Sequence, residues 1–235
     1  MARKGRLKSV SRDAEERPVR IKKYGYLFLI VCEDEKTERV YFEGFKAKIP
    51  EETIYLKAVG TGLDSKGVVE RAIKERDLLS QEAKKDVDAL WVVFDKDDAD
   101  KSPGKRARYT EAFAIAQTSN LRIAYSNEVF EIWLLLHLIE LDPEKQLPRK
   151  GVYDLIQENI RANKEYAQFE YVHGDTHVLD ILKKIGDENK AIERAARLLV
   201  GQKGKEPIDA NPSTKVHLLV KELHEWIVYF SYVPE

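Results

Sequence analysis

What this 235-residue chain has little of narrows its chemistry before any motif is considered. It has one cysteine, Cys32, so no internal disulfide can form. That suits a reducing compartment, and a cytoplasmic location is the expectation. No apolar run approaches the roughly 20 residues of a membrane helix. The N-terminal stretch is basic and lacks the apolar core of a secretory signal. The phosphate-loop pattern Gly-x-x-x-x-Gly-Lys-Ser/Thr does not occur, so no ATPase is expected in this chain. Histidine is also scarce: His173 and His177 form a lone pair, too few for a zinc site with the strand-embedded Cys32.

Charge is plentiful, at 34% Asp, Glu, Lys and Arg, with a formal net of −1. It is unevenly spread. Residues 1–23 hold nine Lys/Arg against three Asp/Glu, a net of +6, which leaves −7 for the other 212 residues. A basic arm therefore precedes an acidic body, either as a phosphate-binding tail or as a solvated leader.

Apolar, β-branched runs at 24–33, 53–60, 88–95 and 121–127 read as strands. Helical spacing connects them at 37–49, with Thr37 as N-cap, and at 65–85, with Val68, Ala72, Leu78 and Leu79 inward. Further helices read at 108–120 and 128–141. This alternation predicts an α/β fold, a mostly parallel sheet flanked by helices. Beyond residue 142 only helices are read, at 151–162, 177–185, 189–200 and 211–230, the last opened by Asn211, Ser213 or Thr214. The expected organisation is a basic arm over 1–23, an α/β domain over 24–142 and a C-terminal helical extension over 143–235.

In such sheets, ligands bind beyond the carboxyl ends of the strands. The third strand ends in Asp95-Lys96-Asp97-Asp98, and the first ends in Glu33. Alternation along a strand puts Asp95 and Asp97 on one side with Lys96 pointing away. If the two strands are neighbours, Glu33, Asp95 and Asp97 converge. Two readings stand at this point. The acids cap and solvate a loop, or they hold a cation, since crowded carboxylates either raise one another's pKa or bind one. Hard oxygen ligands, with Asp98 as a further member, suit Mg²⁺ or Mn²⁺ and hence phosphoryl chemistry.

Other candidates surround this edge. Lys36, with the N–H groups opening the first helix, suits phosphate, and Gly60-Thr61-Gly62 would let backbone approach a phosphate closely. Lys101, Lys105, Arg106 and Arg108 would place cations where a nucleic-acid backbone runs. Ser126, Asn127 and Glu128 end the fourth strand. Glu131, one turn into a very apolar helix, must find a partner or a site role. Cys32 reads as a buried strand residue, and His217 as helix packing.

The segments "LFLIVCEDEKTE" and "LWVVFDKDD" resemble the two Toprim motifs, apolar strands ending in Glu and in Asp-x-Asp. "VCEDEKTERVYFEGF", "AYSNEVFEIWLLLH" and "NPSTKVHLLVKEL" narrow the likeness, which spans residues 26 to about 225, to the RloB-like family. The resemblance implies a Toprim fold, a Mg²⁺ (or Mn²⁺) cofactor, and a nuclease acting on RNA, such as tRNA, or on DNA. It further implies a role in defence against phage and foreign DNA beside an ABC/AAA-type ATPase partner. Glu33 matches the Toprim glutamate, a general acid/base or metal ligand, and Asp95 and Asp97 match the metal-binding pair. Asp34 departs from the glycine usual after the glutamate, and the glycine usual after Asp-x-Asp is absent. A non-catalytic module that binds nucleic acid or a partner is the alternative expectation, and primase-like nucleotidyl transfer is a third.

Overall fold

The structure, a computed structural model, describes residues 21–232. All of the basic arm except Ile21–Lys23 lies outside these residues. Five strands form one sheet: β1 (Tyr26–Cys32), β2 (Ile54–Gly60), β3 (Ala89–Asp95), β4 (Arg122–Asn127) and β5 (Ser213–Thr214). Their order is β2-β1-β3-β4-β5. The first four are mutually parallel and β5 runs antiparallel to β4. Both faces of the central strands are covered, which explains why every residue of β1 is buried and why its sequence runs apolar without alternation.

One face carries α2 (Ser65–Ala83) and α3 (Pro103–Thr118), packed through Val68, Val69, Ala72, Leu79, Ala112 and Ala116. Leu78, expected inward, is 58% exposed; it sits one position off the Val68–Ala72–Leu79 stripe. The other face carries α1 (Thr37–Glu43), α4 (Glu131–Leu136), α5 (Arg149–Arg161), α6 (His177–Ile185), α7 (Glu188–Gly201) and α8 (Val216–Ser231). All six residues of α4 are buried, and all but Glu131 are apolar, because the helix lies in the middle of that layer.

Three expectations change. Helix α3 begins five residues before residue 108, where Ser102 accepts the Lys105 N–H (3.3 Å) and Pro103 opens the first turn, so the basic run Lys105–Arg108 is helical. The helix expected over 128–141 is only the short α4. Residues 211–215 do not begin the last helix. Ser213 and Thr214 form β5, and the Ser126 and Thr214 hydroxyls meet at 3.0 Å. Two residues are too few to show a strand period, and an Asn/Ser/Thr cluster reads equally as a helix start.

Glu188, which opens α7, ties three helices together. The Tyr41 hydroxyl donates to it (2.9 Å), and Lys48 (3.2 Å) and His224 (2.7 Å) meet its other oxygen. Burial pushes this carboxyl up, but hydrogen bonding and the nearby cations overcome that and hold it down at about 2. Because the pKa is depressed, the stabilisation is present above the ordinary 4.5 and is lost as pH falls toward 2. Replacing Glu188 by Ala is expected to cost on the order of 2 kcal/mol, a melting shift of roughly 4–8 °C at pH 7. Thermal melts at pH 7 and pH 3 check this: the gap between variant and wild type narrows in acid.

Candidate functional site

The carboxyl ends of β1 and β3 lie side by side, because these strands pair in parallel from Phe28–Ala89 to Cys32–Val93. Glu33 extends β1, its N–H donating to Val93 O (2.9 Å), and its carboxylate accepts the Asp95 N–H (3.1 Å). Asp95 accepts the Phe130 N–H through Oδ2 (3.0 Å), just before α4. Its Oδ1 is buried with no hydrogen-bond partner. An orphaned oxygen of this kind, on a group that is anionic in water, marks a place where something positive or protonated belongs.

Two more acids face the same space. Glu38 on α1 is 1% exposed and accepts the Asp34 N–H (3.0 Å). Glu131 on α4 is 2% exposed; the Tyr171 hydroxyl donates to it, and His173 Nδ1 lies 3.3 Å away. Burial pushes Glu33 up to about 8, with Asp97, Asp64 and Asp34 adding repulsion. Burial also drives Asp95 and Glu38 well above the carboxylate range. Glu38 is the largest charge acting on Asp95, and Glu33 the largest acting on Glu38.

Asp97 reaches this group by a different route from strand alternation. The strand stops at Asp95, and Asp97 adopts a left-handed backbone (φ 46°), a conformation Asp tolerates better than most residues. Its carboxylate meets Arg149, the first residue of α5, at 2.5 Å. Burial, first, and neighbouring acids raise its pKa against the opposing Arg149 charge. Lys96 does point away: it is buried and divides its charge between Glu128 and Asp100, both at 2.9 Å.

Asp98 stands outside this group, more than half exposed, with Lys105 at 3.9 Å. Lys101 pairs with Asp100 (3.8 Å), Arg106 with Asp209 (3.6 Å) and Arg108 with Asp64. These cations are set on solvent-facing acids: Asp98 and Asp100 of the loop, Asp64 just before α2, and Asp209 before β5. Lys36 is exposed at the start of α1, but the Thr37 N–H behind it is already taken by Asp34 Oδ2 (2.5 Å). Asp34 therefore serves as the cap expected of Thr37, and together with Glu38 makes a reciprocal closure of the first turn. Gly60 approaches its own chain, not a phosphate: a Cβ there would lie 2.4 Å from Glu35 Cα. Gly62 donates its N–H to Glu33 O (2.8 Å), so this loop pins the end of β1. Asn127 binds the carbonyls of Pro207 (2.9 Å) and Ile208 (3.0 Å), and Glu128 serves Lys96.

Glu38, Arg149, Tyr171 and His173 were missed. Glu38 had a signal, since it shares the apolar stripe of Phe42 and Phe45 at i, i+4 and i+7. The other three arrive from residues 149–173, and only the chain path beyond the sheet brings them here.

The buried donors are all hard oxygen, one of them unpartnered, and that chemistry fits a divalent cation such as Mg²⁺. Among the described residues, however, no three His, Cys, Asp or Glu side chains stand already arranged to hold a metal ion. Nor does any helix of the described residues have the length and apolarity to cross a membrane.

Fold and site together define an α/β protein with buried acids at the carboxyl edge of a parallel sheet. The sequence model of the family described as RloB-like protein matches residues 28–223, and the chain belongs to that family. Comparison with curated proteins and with solved structures returned no significant match.

Proposed function

We propose that this protein is a Toprim-type, Mg²⁺- or Mn²⁺-dependent nuclease that hydrolyses phosphodiester bonds in RNA or DNA. The observation that carries the reading is the pair of strand ends: Glu33 pushed up to about 8 beside Asp95 with an orphaned oxygen. Repulsion among buried acids destabilises the fold, so a fold that keeps them suggests a use for them. Glu33, Asp95 and Asp97 would hold the cation, with Glu131 or Glu38 as further acids. When bound, the ion supplies charge stabilisation at the scissile phosphate and an activated water. With the ion on Asp95 and Asp97 alone, Glu33, protonated near neutral pH, would be placed to hand a proton to a leaving oxygen; as a ligand it would be ionised and would hold the ion instead. Arg149 keeps Asp97 in place, and the Tyr171 hydroxyl does the same for Glu131.

Family membership supports a role in defence against phage and foreign DNA, with an ABC/AAA-type ATPase as controlling partner. A nuclease left unrestrained would damage its own cell, which favours such control. Two observations favour a second reading, a module that binds nucleic acid or a partner without cutting. Asp97 is neutralised by Arg149, and the acids are not pre-gathered as ligands.

The test is cleavage of plasmid DNA, single-stranded DNA and total tRNA in Mg²⁺ and in Mn²⁺, with and without an ABC/AAA-type ATPase as the proposed partner. Wild type is expected to cut at least one substrate, and a Glu33→Ala/Asp95→Ala double variant none. Metal-independent binding without cutting in any combination would favour the binding module.

A further inference from the structure

Beside the acids stands a short run of aromatic rings that the proposed chemistry does not use. Tyr171 and Tyr153 lie 4.9 Å apart between centroids at 34°, and Tyr153 and His173 lie 5.7 Å apart at 27°. Tyr153 is thus stacked on His173 and tilted against Tyr171, and His173 is 65% exposed at its side chain. The run is anchored in the site at both levels. The Tyr171 hydroxyl and His173 Nδ1 both address Glu131, and the Tyr153 hydroxyl meets His173 Nδ1 at 3.2 Å. Arg149, which holds Asp97, sits one turn before Tyr153 on α5, so the two side chains share a face.

Two cations stand near the rings. The loop carrying His173 turns at Gly174 (φ +80°), where a Cβ would lie 3.8 Å from the Lys36 side chain. Lys36 therefore lies against the loop that carries the exposed ring, and Arg149, on the side of the acids, is paired with Asp97. A ring held by hydrogen bonds at its edge, open to solvent and with a lysine beside its loop, matches a nucleobase with a flanking phosphate. Duplex bases are already stacked and cannot supply such a face.

We infer that Tyr153, Tyr171 and His173 form a stacking platform for an unpaired base, so that the substrate enters as a single-stranded segment with Lys36 on its backbone. The inference rests on the proposed action on nucleic acid and adds the form of the substrate.

The test measures binding of fluorescein-labelled oligo(U), oligo(dT) and a blunt duplex by anisotropy in Ca²⁺, beside cleavage in Mg²⁺. Wild type is expected to prefer the single strands. His173→Ala should weaken them by roughly tenfold with the duplex unchanged, while His173→Phe keeps the affinity. Because stacking releases no counterions, the salt slope of His173→Ala should match wild type; Lys36→Ala should flatten it by about one unit. Equal loss on duplex and single strand, or no loss in His173→Ala, overturns the platform. Single-strand preference without any cleavage would keep the platform and sink the nuclease. Cleavage indifferent to His173→Ala would do the reverse.

Discussion

Asp95→Asn is expected to abolish cleavage and to raise the melting temperature. The amide keeps an oxygen for the Phe130 N–H, so the turn into α4 is preserved. What disappears is an acid that burial, first, and Glu38, Asp97, Glu33 and Glu131 drive well above the carboxylate range, so that near neutral pH the folded state must hold on it a proton that the unfolded chain has released. The new NH₂ can also donate to one of those carboxylates, where Oδ1 had no partner. Relief of that cost stabilises by on the order of 1–3 kcal/mol, or several degrees in a chain of this length. Cleavage should fall roughly a thousandfold or more, the scale seen when a principal electrostatic group is removed. Asp95→Ala separates the two effects: it is equally inactive but less stable than Asp95→Asn, having lost the Phe130 hydrogen bond, worth about 1 kcal/mol. Calorimetry and a cleavage assay on the same preparations decide the matter. An Asp95→Asn protein that melts lower yet still cuts would make Asp95 a helix-entry cap and nothing more.

The fold was legible in proportion to how local its causes are. β1 and β3 announce themselves because burial on both faces demands continuous apolar runs of strand length; their adjacency stood as a condition, which the pairing of the two strands meets. That was enough to bring Glu33 and Asp95 together on paper. Asp97 was placed by strand alternation, yet the strand has ended by then and a left-handed turn sets its direction. β5 escaped because two residues carry no period. The clamp on Glu131 escaped for another reason. Tyr171 and His173 lie 40 and 42 positions further along, in a loop whose course depends on α5 and α6 packing across the sheet. A glutamate inside an apolar helix predicts that a partner exists. It does not say which.

Stability should fall as pH rises from 6.5 to 9, and a divalent cation should restore it. Glu33 sits at about 8 in the folded protein against an ordinary 4.5, so between these values the folded state binds the proton that the unfolded chain has released. Stability therefore decreases with pH through that window and levels off above the folded value. Asp95 and Glu38, both raised, act in the same direction, as does His173, raised chiefly by its hydrogen bond to Glu131. Opposing groups act lower: burial depresses His217 to about 4 and lowers His137, so their contribution is lost only as pH falls below 6.5. Above that pH both are neutral in either state, and the raised acids, with His173, set the slope. For Glu33 the loss from pH 6.5 to 9 is about 2 kcal/mol, a fall of roughly 4–8 °C. Mg²⁺ should reverse it at pH 9, where the acids are ionised, and do little at pH 6, where protons compete for the same oxygens. The same titration on Glu33→Gln should be flatter between pH 6.5 and 9 and nearly indifferent to Mg²⁺. A wild-type curve flat over that range, with no cation effect at either end, would mean that the buried acids are neutralised within the protein and hold no ion.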